Sequence, residues 1–326
     1  MKLLLTGATG KVGQAFLPVF LSHPGFREWE VVALCNNRIV EVTDRVSVVQ
    51  GSISDPGIVA SAMHGVTHVV HLAAVKETPE QIFDVALKGL FLLLDDFRKS
   101  DPARQFILLS GDCAVGHIFQ PYDAPITEAS ERRAYKGSYA LTKTLEEVML
   151  EQFGIQYGVN WTTLRAPWIM EKDDLRFALA LGDDQFGGPA WAELLDADAL
   201  ETCRKGGYVP VMRDIRGDYL RRNFVHVDDL VRALLAAIDN PRAQGQLFNI
   251  SMDRPVDYGD LGALLAARQG LQPIEIDTPF HSNWLDNSKA KLMLGWAPEV
   301  TLEQMIDRAW RYERADNDPR IIWYPG

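Results

Sequence analysis

The chain has 326 residues, 47% of them hydrophobic and 24% charged. That length and balance bury a sizeable core and exclude a disordered or fibrous protein. Its 44 acidic against 33 basic side chains leave a net charge of -11, which argues against nucleic acid as a partner, and the lack of any run of about 18 apolar residues argues against a helical membrane span.

"KLLLT" opens as a strand, and Lys11 to Leu21 reads as the helix after it. "EVVALC" (30–35) and "VSVVQ" (46–50) follow as strands, then a helix from Pro56 to His64 and the strand "THVVHLA". Glu80 to Lys99 has the periodicity of one long amphipathic helix, "RQFILLS" is a strand, Ala134 to Phe153 a helix, and "VNWTTLR" closes the series. These strands are near-continuous Val/Ile/Leu runs, as in a sheet covered on both faces, and they alternate with helices as βαβ units do. The expected fold class is α/β, a doubly wound parallel sheet. After Arg165 the rhythm changes, and 168–217 shows no clear strand series. "RNFVHV" returns as a strand, followed by a helix over 228–238, the strand "GQLFNI", and helices near 257–269, 287–294 and 302–314.

"KLLLTGATGKVGQAF" sets Gly7, Gly10 and Gly13 directly after the first strand and at the mouth of the first helix. A backbone without Cβ atoms lets a pyrophosphate approach closely, and the unpaired N–H groups of the helix start face its charge. Thr9, Lys11 and Val12 belong to the same turn. At the end of the second strand, where a dinucleotide site usually carries an acid for the ribose, "VVALCNNR" has Cys35, then Asn36, Asn37 and Arg38. The cofactor expected is NAD or NADP, leaning to NADP because Arg38 can pair with a 2′-phosphate; Arg38 reads equally well as a plain surface residue.

Tyr139 and Lys143 stand four apart, on one face of a helix. An ammonium near a phenol favours the phenolate and lowers its pKa from about 10, so that the tyrosine can exchange a proton with a substrate hydroxyl or carbonyl.

The Gly-x-x-Gly-x-x-Gly start, "HVVHLAA", "SYALTK", "RNFVHVDDL" and "SKAKLMLGW" occur in order. With them the chain resembles, over almost its whole length, the extended branch of the short-chain dehydrogenase/reductase (SDR) superfamily, which holds nucleotide-sugar epimerases, dehydratases and reductases. The resemblance implies a Rossmann domain (1–167 plus 222–250) and a smaller, discontinuous C-terminal substrate region (168–221 plus 251–326). It implies cofactor contacts from Ser52, Ile53, Leu72, Ala73, Ala74, Pro167, Tyr139 and Lys143. Hydride transfer to a carbohydrate is implied, either a nucleotide sugar or a free sugar or sugar acid, with Tyr139 as acid/base, and so is a homodimer.

Three positions depart from the family pattern. Its catalytic Ser or Thr falls on Gly111, and Ser110, the adjacent strand residue, faces the other way unless a bulge turns it. Ala86 and Trp168 stand where the family commonly has Asn. Ser110 is accordingly the third catalytic candidate, with Asp112 or Cys113 as assisting groups. Lys76, Trp168 and Arg222 complete the substrate side, Arg222 matching the family arginine that often contacts a diphosphate. These departures motivate the alternative of a catalytically weak NAD(P)-binding sensor or scaffold.

Arg213, Arg216, Arg221 and Arg222 form a basic cluster that reads as a small-anion site or as a solvated loop. Cys35, Cys113 and Cys203 are too widely spaced for a disulfide framework or metal site, and His64, His68 and His71 read as structural, so no metal is expected. His226, Asp228 and Asp229 are expected to organise a strand-to-helix junction. The apolar run at the N-terminus is too short for a signal peptide, which makes a cytoplasmic location the expectation.

Overall fold

Aliphatic runs covered on both faces leave a strand no polar side to expose, and in the computed structural model those of the first half form one parallel sheet. It describes residues 1–76, 78–180 and 191–318, so 181–190 and 319–326 of the expected substrate region lie outside the described residues. β1 (Lys2–Thr6) leads through the glycine turn into α1 (Lys11–Ser22), followed by β2 (Glu30–Cys35), β3 (Val46–Gln50), α2 (Pro56–Met63) and β4 (His68–His71). Next come α3 (Pro79–Phe83), a π-helical turn (Asp84–Lys88) and α4 (Gly89–Phe97), then β5 (Gln105–Gly111), α5 (Ser138–Tyr157) and β6 (Trp161–Ala166). The later chain forms β7 (Trp168–Met170), α6 (Asp174–Ala178), α7 (Trp191–Leu194), α8 (Ala197–Arg204), β8 (Tyr208–Arg213), β9 (Arg221–Arg222), β10 (Phe224–His226) and α9 (Val227–Ala237). It ends with β11 (Gln246–Asn249), β12 (Val256–Asp257), α10 (Tyr258–Gln269), β13 (Gln272–Asp277), α11 (Ser288–Leu294) and α12 (Leu302–Arg311).

The main sheet runs β11-β6-β5-β4-β1-β2-β3, with every neighbouring pair parallel. α1 and α9 cover one face, burying Phe16, Phe20, Leu230 and Leu234. α2, α4 and α5 cover the other with Val59, Leu90, Leu94 and Leu150. Each such side chain contributes roughly 1.5–3 kcal/mol over leaving it exposed, so the two helical layers fix the sheet on which the site stands. A separate core of Val211, Leu261, Leu265, Met305 and Ile306 organises the later chain.

The expected helix over 80–99 is three segments, since the π-helical turn interrupts it. The helix expected over 134–153 starts later, at Ser138, because Gly137 ahead of it has φ 150°; it ends later too, on Gly158 at φ 69°, a left-handed cap that glycine adopts without strain. The stretch after Arg165 holds two strands, β7 and β8, that its pattern did not reveal. β8 and its partner β13 contain Pro210 and Pro273, which read as strand breakers but are tolerated in a two-stranded sheet, where each strand keeps a free edge. β7 pairs with β10, across the expected boundaries at 167/168 and 221/222. At the next junction the His226 side chain accepts from the Asp228 N–H, while Asp229 accepts from the N–H groups of Glu299 and Val300.

Candidate functional site

Strand order reverses between β1 and β4, so the chain leaves their carboxyl ends in opposite directions and a crevice opens there. A cavity of about 830 Å³ occupies it, running from the glycine turn past α5 to Arg222. Gly7 has φ +69° and lies so close to the end of β4 that a Cβ would stand 2.7 Å from the Ala73 nitrogen; a Cβ on Gly13 would stand 2.3 Å from the Gly7 oxygen. Gly10 caps α1 without a side-chain acceptor, and the first turn carries no acid. The N–H groups that a helix start leaves without intrahelical acceptors are thus available to an anion, and the turn fits a dinucleotide's pyrophosphate.

Thr9, Val12, Asn36, Arg38, Ser52, Ile53, Leu72, Ala73, Ala74 and Pro167 line the same cavity. Arg38 donates to the Thr9 carbonyl at 3.1 Å and is exposed, while Cys35 is buried and burial pushes its thiol up. Lys11 lines the cavity too, but its ammonium donates to the Ile169 carbonyl at 3.0 Å and pairs with Asp174 at 2.5 Å. That side chain ties the turn to β7 and α6. Beneath the turn, the Thr6 hydroxyl lies 2.7 Å from His71 Nδ1 and accepts from the N–H groups of Leu72 and Ala73. Burial, then the nearby Lys143, hold His71 down at about 3, so it is a neutral structural residue.

Tyr139 and Lys143 face the cavity from the first turns of α5, with Lys143 Nζ 5.9 Å from the centre of the phenol ring. The expected lowering of the phenol's pKa is not what this arrangement produces. Burial holds Tyr139 well above the usual phenol range, reinforced by Cys113, Tyr135, Glu146 and Asp112. Lys143 is itself engaged, donating to Glu146 Oε2 at 2.7 Å and to the Leu109 carbonyl at 3.2 Å.

Ser110 also requires correction as a catalytic candidate. Its hydroxyl donates to Glu147 Oε1 at 2.6 Å, inside a buried web where Arg165 and Arg132 meet the same carboxylate at 2.7 and 2.8 Å. A hydroxyl so committed braces β5 against α5 and β6; it is not free to polarise a substrate. Beside it, a Cβ on Gly111 would stand 3.0 Å from Cys113 Sγ. Cys113 therefore crowds the space that a larger side chain at 111 would need, and burial holds it as the neutral thiol.

The far wall is built around Arg222 from side chains that hold one another in place. His117 Nδ1 lies 2.5 Å from Asp112 Oδ2, and its Nε2 lies 2.8 Å from an Arg222 NH2 group. A carboxylate only accepts and a guanidinium only donates, so the neutral ring with its hydrogen on Nδ1 satisfies both. Burial holds His117 below the usual imidazole range, consistent with that form. The indole of Trp168 covers the Arg222 guanidinium at 3.7 Å and Tyr258 hydrogen-bonds it. Lys76 Nζ stands 5.1 Å from the centre of the Tyr139 ring, and burial lowers its pKa. The basic cluster does not act as a unit: Arg213 pairs with Glu275 and Arg221 is exposed, and of the four only Arg222 reaches the cavity.

The structure thus brings every residue named from the sequence for the cofactor and substrate onto one cavity. Sequence reasoning missed His117 and Glu146. The signal for His117 was its place directly after Gly116 at the strand–loop end; for Glu146 it was the seven-residue spacing from Tyr139, which returns to the same helix face. Among the described residues, no three His, Cys, Asp or Glu side chains converge as a metal site would need, and no helix is long and apolar enough to cross a membrane.

Residues 3–170 match the model of the NAD dependent epimerase/dehydratase family. UDP-glucuronate 4-epimerase 3 of Arabidopsis thaliana is 23% identical over 293 residues, covering 82% of this chain and 64% of that protein. The chain spans less than two thirds of the length of this relative and of a second plant 4-epimerase. Among solved structures, a short-chain dehydrogenase/reductase superfamily protein from Agrobacterium tumefaciens with bound NAD aligns with TM-score 0.79 at 24% identity, covering 95% of this chain and 96% of that one. UDP-glucose 4-epimerase of Thermotoga maritima, with UDP-glucose, aligns with TM-score 0.72 at 23% identity, covering 95% and 98%.

Proposed function

The chain belongs to the NAD dependent epimerase/dehydratase family, and from that premise we propose that it is an NAD(P)-dependent enzyme of the extended SDR type acting on a carbohydrate. The nucleotide sugars named for its relatives come first as substrates, a free sugar or sugar acid second. One observation carries this reading: a single cavity joins the glycine turn, Tyr139 with Lys143, and Arg222. When bound, a nicotinamide dinucleotide supplies the acceptor and donor of a hydride. The first turn of α1 would hold its pyrophosphate, and Tyr139 and Lys143 its nicotinamide ribose.

Epimerisation, dehydration and net oxidation all begin by oxidising a sugar hydroxyl, and Tyr139 takes the proton that this carbon–oxygen centre releases. Lys143 orients that exchange, and its positive charge opposes the burial that holds the phenol neutral. Arg222, aimed by His117 and flattened against Trp168, receives an anionic group of the substrate. Arg38 and the absence of a carboxylate at residues 35–38 favour NADP over NAD. The proposal includes a homodimer, supported by Phe91 on α4 and by Leu141, Leu145 and Val148 on α5, all exposed apolar side chains, and a cytoplasmic location, supported by three free, buried cysteines.

Single-turnover mixing with NAD+ or NADP+ and a panel of nucleotide sugars, sugars and sugar acids tests it. Reduced nicotinamide should appear with at least one substrate and fail to appear in Tyr139→Phe. Tight dinucleotide binding with no turnover on any substrate would instead support the sensor.

A further inference from the structure

Two consecutive buried glutamates on α5 have opposite surroundings. Glu147 is met by Arg165, Arg132 and Ser110, which together outweigh burial and hold its carboxyl below the usual range. Glu146 is equally buried and has one partner, Lys143; its Oε1 has no hydrogen bond among the described residues. Burial, only partly offset by Lys143, holds Glu146 above the usual carboxylate range. Tyr139, Lys143 and Glu146 fall at i, i+4 and i+7, one stripe of the helix. The π-helical turn packs against α5 and contributes the buried methyl of Ala86, so no polar side chain comes from the position where the family commonly has Asn.

Resting on the reading of Tyr139 as the acid/base, we propose that Glu146 is a positioning residue that governs the ionisation of Tyr139 through its ion pair with Lys143. A lysine ammonium alone would pull the phenol toward the phenolate. A carboxylate 2.7 Å from that ammonium cancels much of its field and repels the phenolate directly. Tyr139 therefore keeps its proton until a further positive charge enters the cavity. The other titratable groups facing this trio are Glu147 on α5, Asp112 and Cys113 after β5, His71 on β4, Lys76 beyond it and Tyr135 ahead of α5. Among the described residues, none of these other carboxylates pairs with Lys143 as Glu146 does, at 2.7 Å.

The test is the pH dependence of Tyr139 ionisation in the full-length protein, read by ultraviolet difference titration against Tyr139→Phe and by the acid limb of kcat. Glu146→Gln keeps the shape and removes the charge, so both readouts should move to lower pH by about one unit. Glu146→Asp keeps the charge one methylene further from Lys143 and should shift them the same way by less; it also serves if the glutamine variant does not fold. Profiles that stay in place or move upward in a folded variant would overturn the proposal. Full activity in Tyr139→Phe would instead sink the acid/base reading beneath it. A purely structural Glu146 would change stability without moving either profile.

Discussion

On the proposed reading, the two ends of the cavity recognise by different means. At the dinucleotide end the determinants are main-chain: Gly7 and Gly13 permit contacts that any Cβ would block, and the first turn of α1 offers its N–H groups. At the substrate end they are side chains that depend on one another, Asp112 fixing His117, His117 aiming Arg222, and Trp168 covering it. Backbone recognition leaves little latitude in sequence, whereas a wall of mutually supporting side chains can be rebuilt as a set.

Substitutions can separate the two ends. The largest effect belongs to the residue where they meet: Tyr139→Phe should lower kcat by roughly 10²–10⁴-fold, while dinucleotide affinity, losing one ribose contact, falls far less, measured by turnover and calorimetry side by side. If affinity falls as far as kcat, the phenol serves the cofactor and the division is misplaced. Next is the web bracing both ends. Glu147→Ala leaves Arg165 buried without its carboxylate and should cost about 3–5 kcal/mol in urea unfolding.

Because Glu147 titrates below its unfolded value in the folded chain, its contribution is present above the usual Glu range and disappears as pH falls through the depressed value. The wild type should therefore lose stability in acid more steeply than the variant, and parallel curves would remove Glu147 from the account. His71 adds a window of its own. Its folded pKa is depressed from 6.5 to about 3, so its contribution is complete above 6.5 and declines below it. His71→Asn, which does not titrate, should flatten that part of the curve.

His117→Ala should raise KM about tenfold, the equivalent of ~1.4 kcal/mol of binding, with kcat changed far less. His117→Gln retains an acceptor for Arg222 and should recover part of the loss. Protonating His117 removes that acceptor and sets two cations together, so KM should also rise as pH falls, below the usual imidazole range because burial depresses this group. Equal damage from alanine and glutamine would show that His117 does not act through Arg222. Arg38→Ala should have the smallest effect, weakening NADP binding about fivefold and leaving NAD unchanged, as expected for an exposed charge pair worth up to about 1 kcal/mol.

The sheet and the glycine turn were legible in the sequence for the same reason: period, glycine spacing and the strand–turn–helix context are local. What was not legible depends on partners distant in the chain. Ser110 reads as a reactive hydroxyl until it is seen to donate its hydrogen bond to Glu147, and Lys143 reads as free to act on Tyr139 until it is seen paired with a carboxylate one turn further on. His117 gains its role from Arg222, 105 residues away. β8 and β13 each carry a proline, which a strand tolerates only where the tertiary structure leaves it a free edge or a bulge.

The central claim, that the glycine turn holds a nicotinamide dinucleotide, is tested most directly by calorimetric titration of the folded protein with NAD+ and with NADP+. Saturable binding at a single site per chain is predicted for at least one of them, lost in Gly13→Ala, where the added methyl would meet the Gly7 carbonyl. No binding of either dinucleotide to the wild type, or undiminished binding to a folded Gly13→Ala, would contradict it.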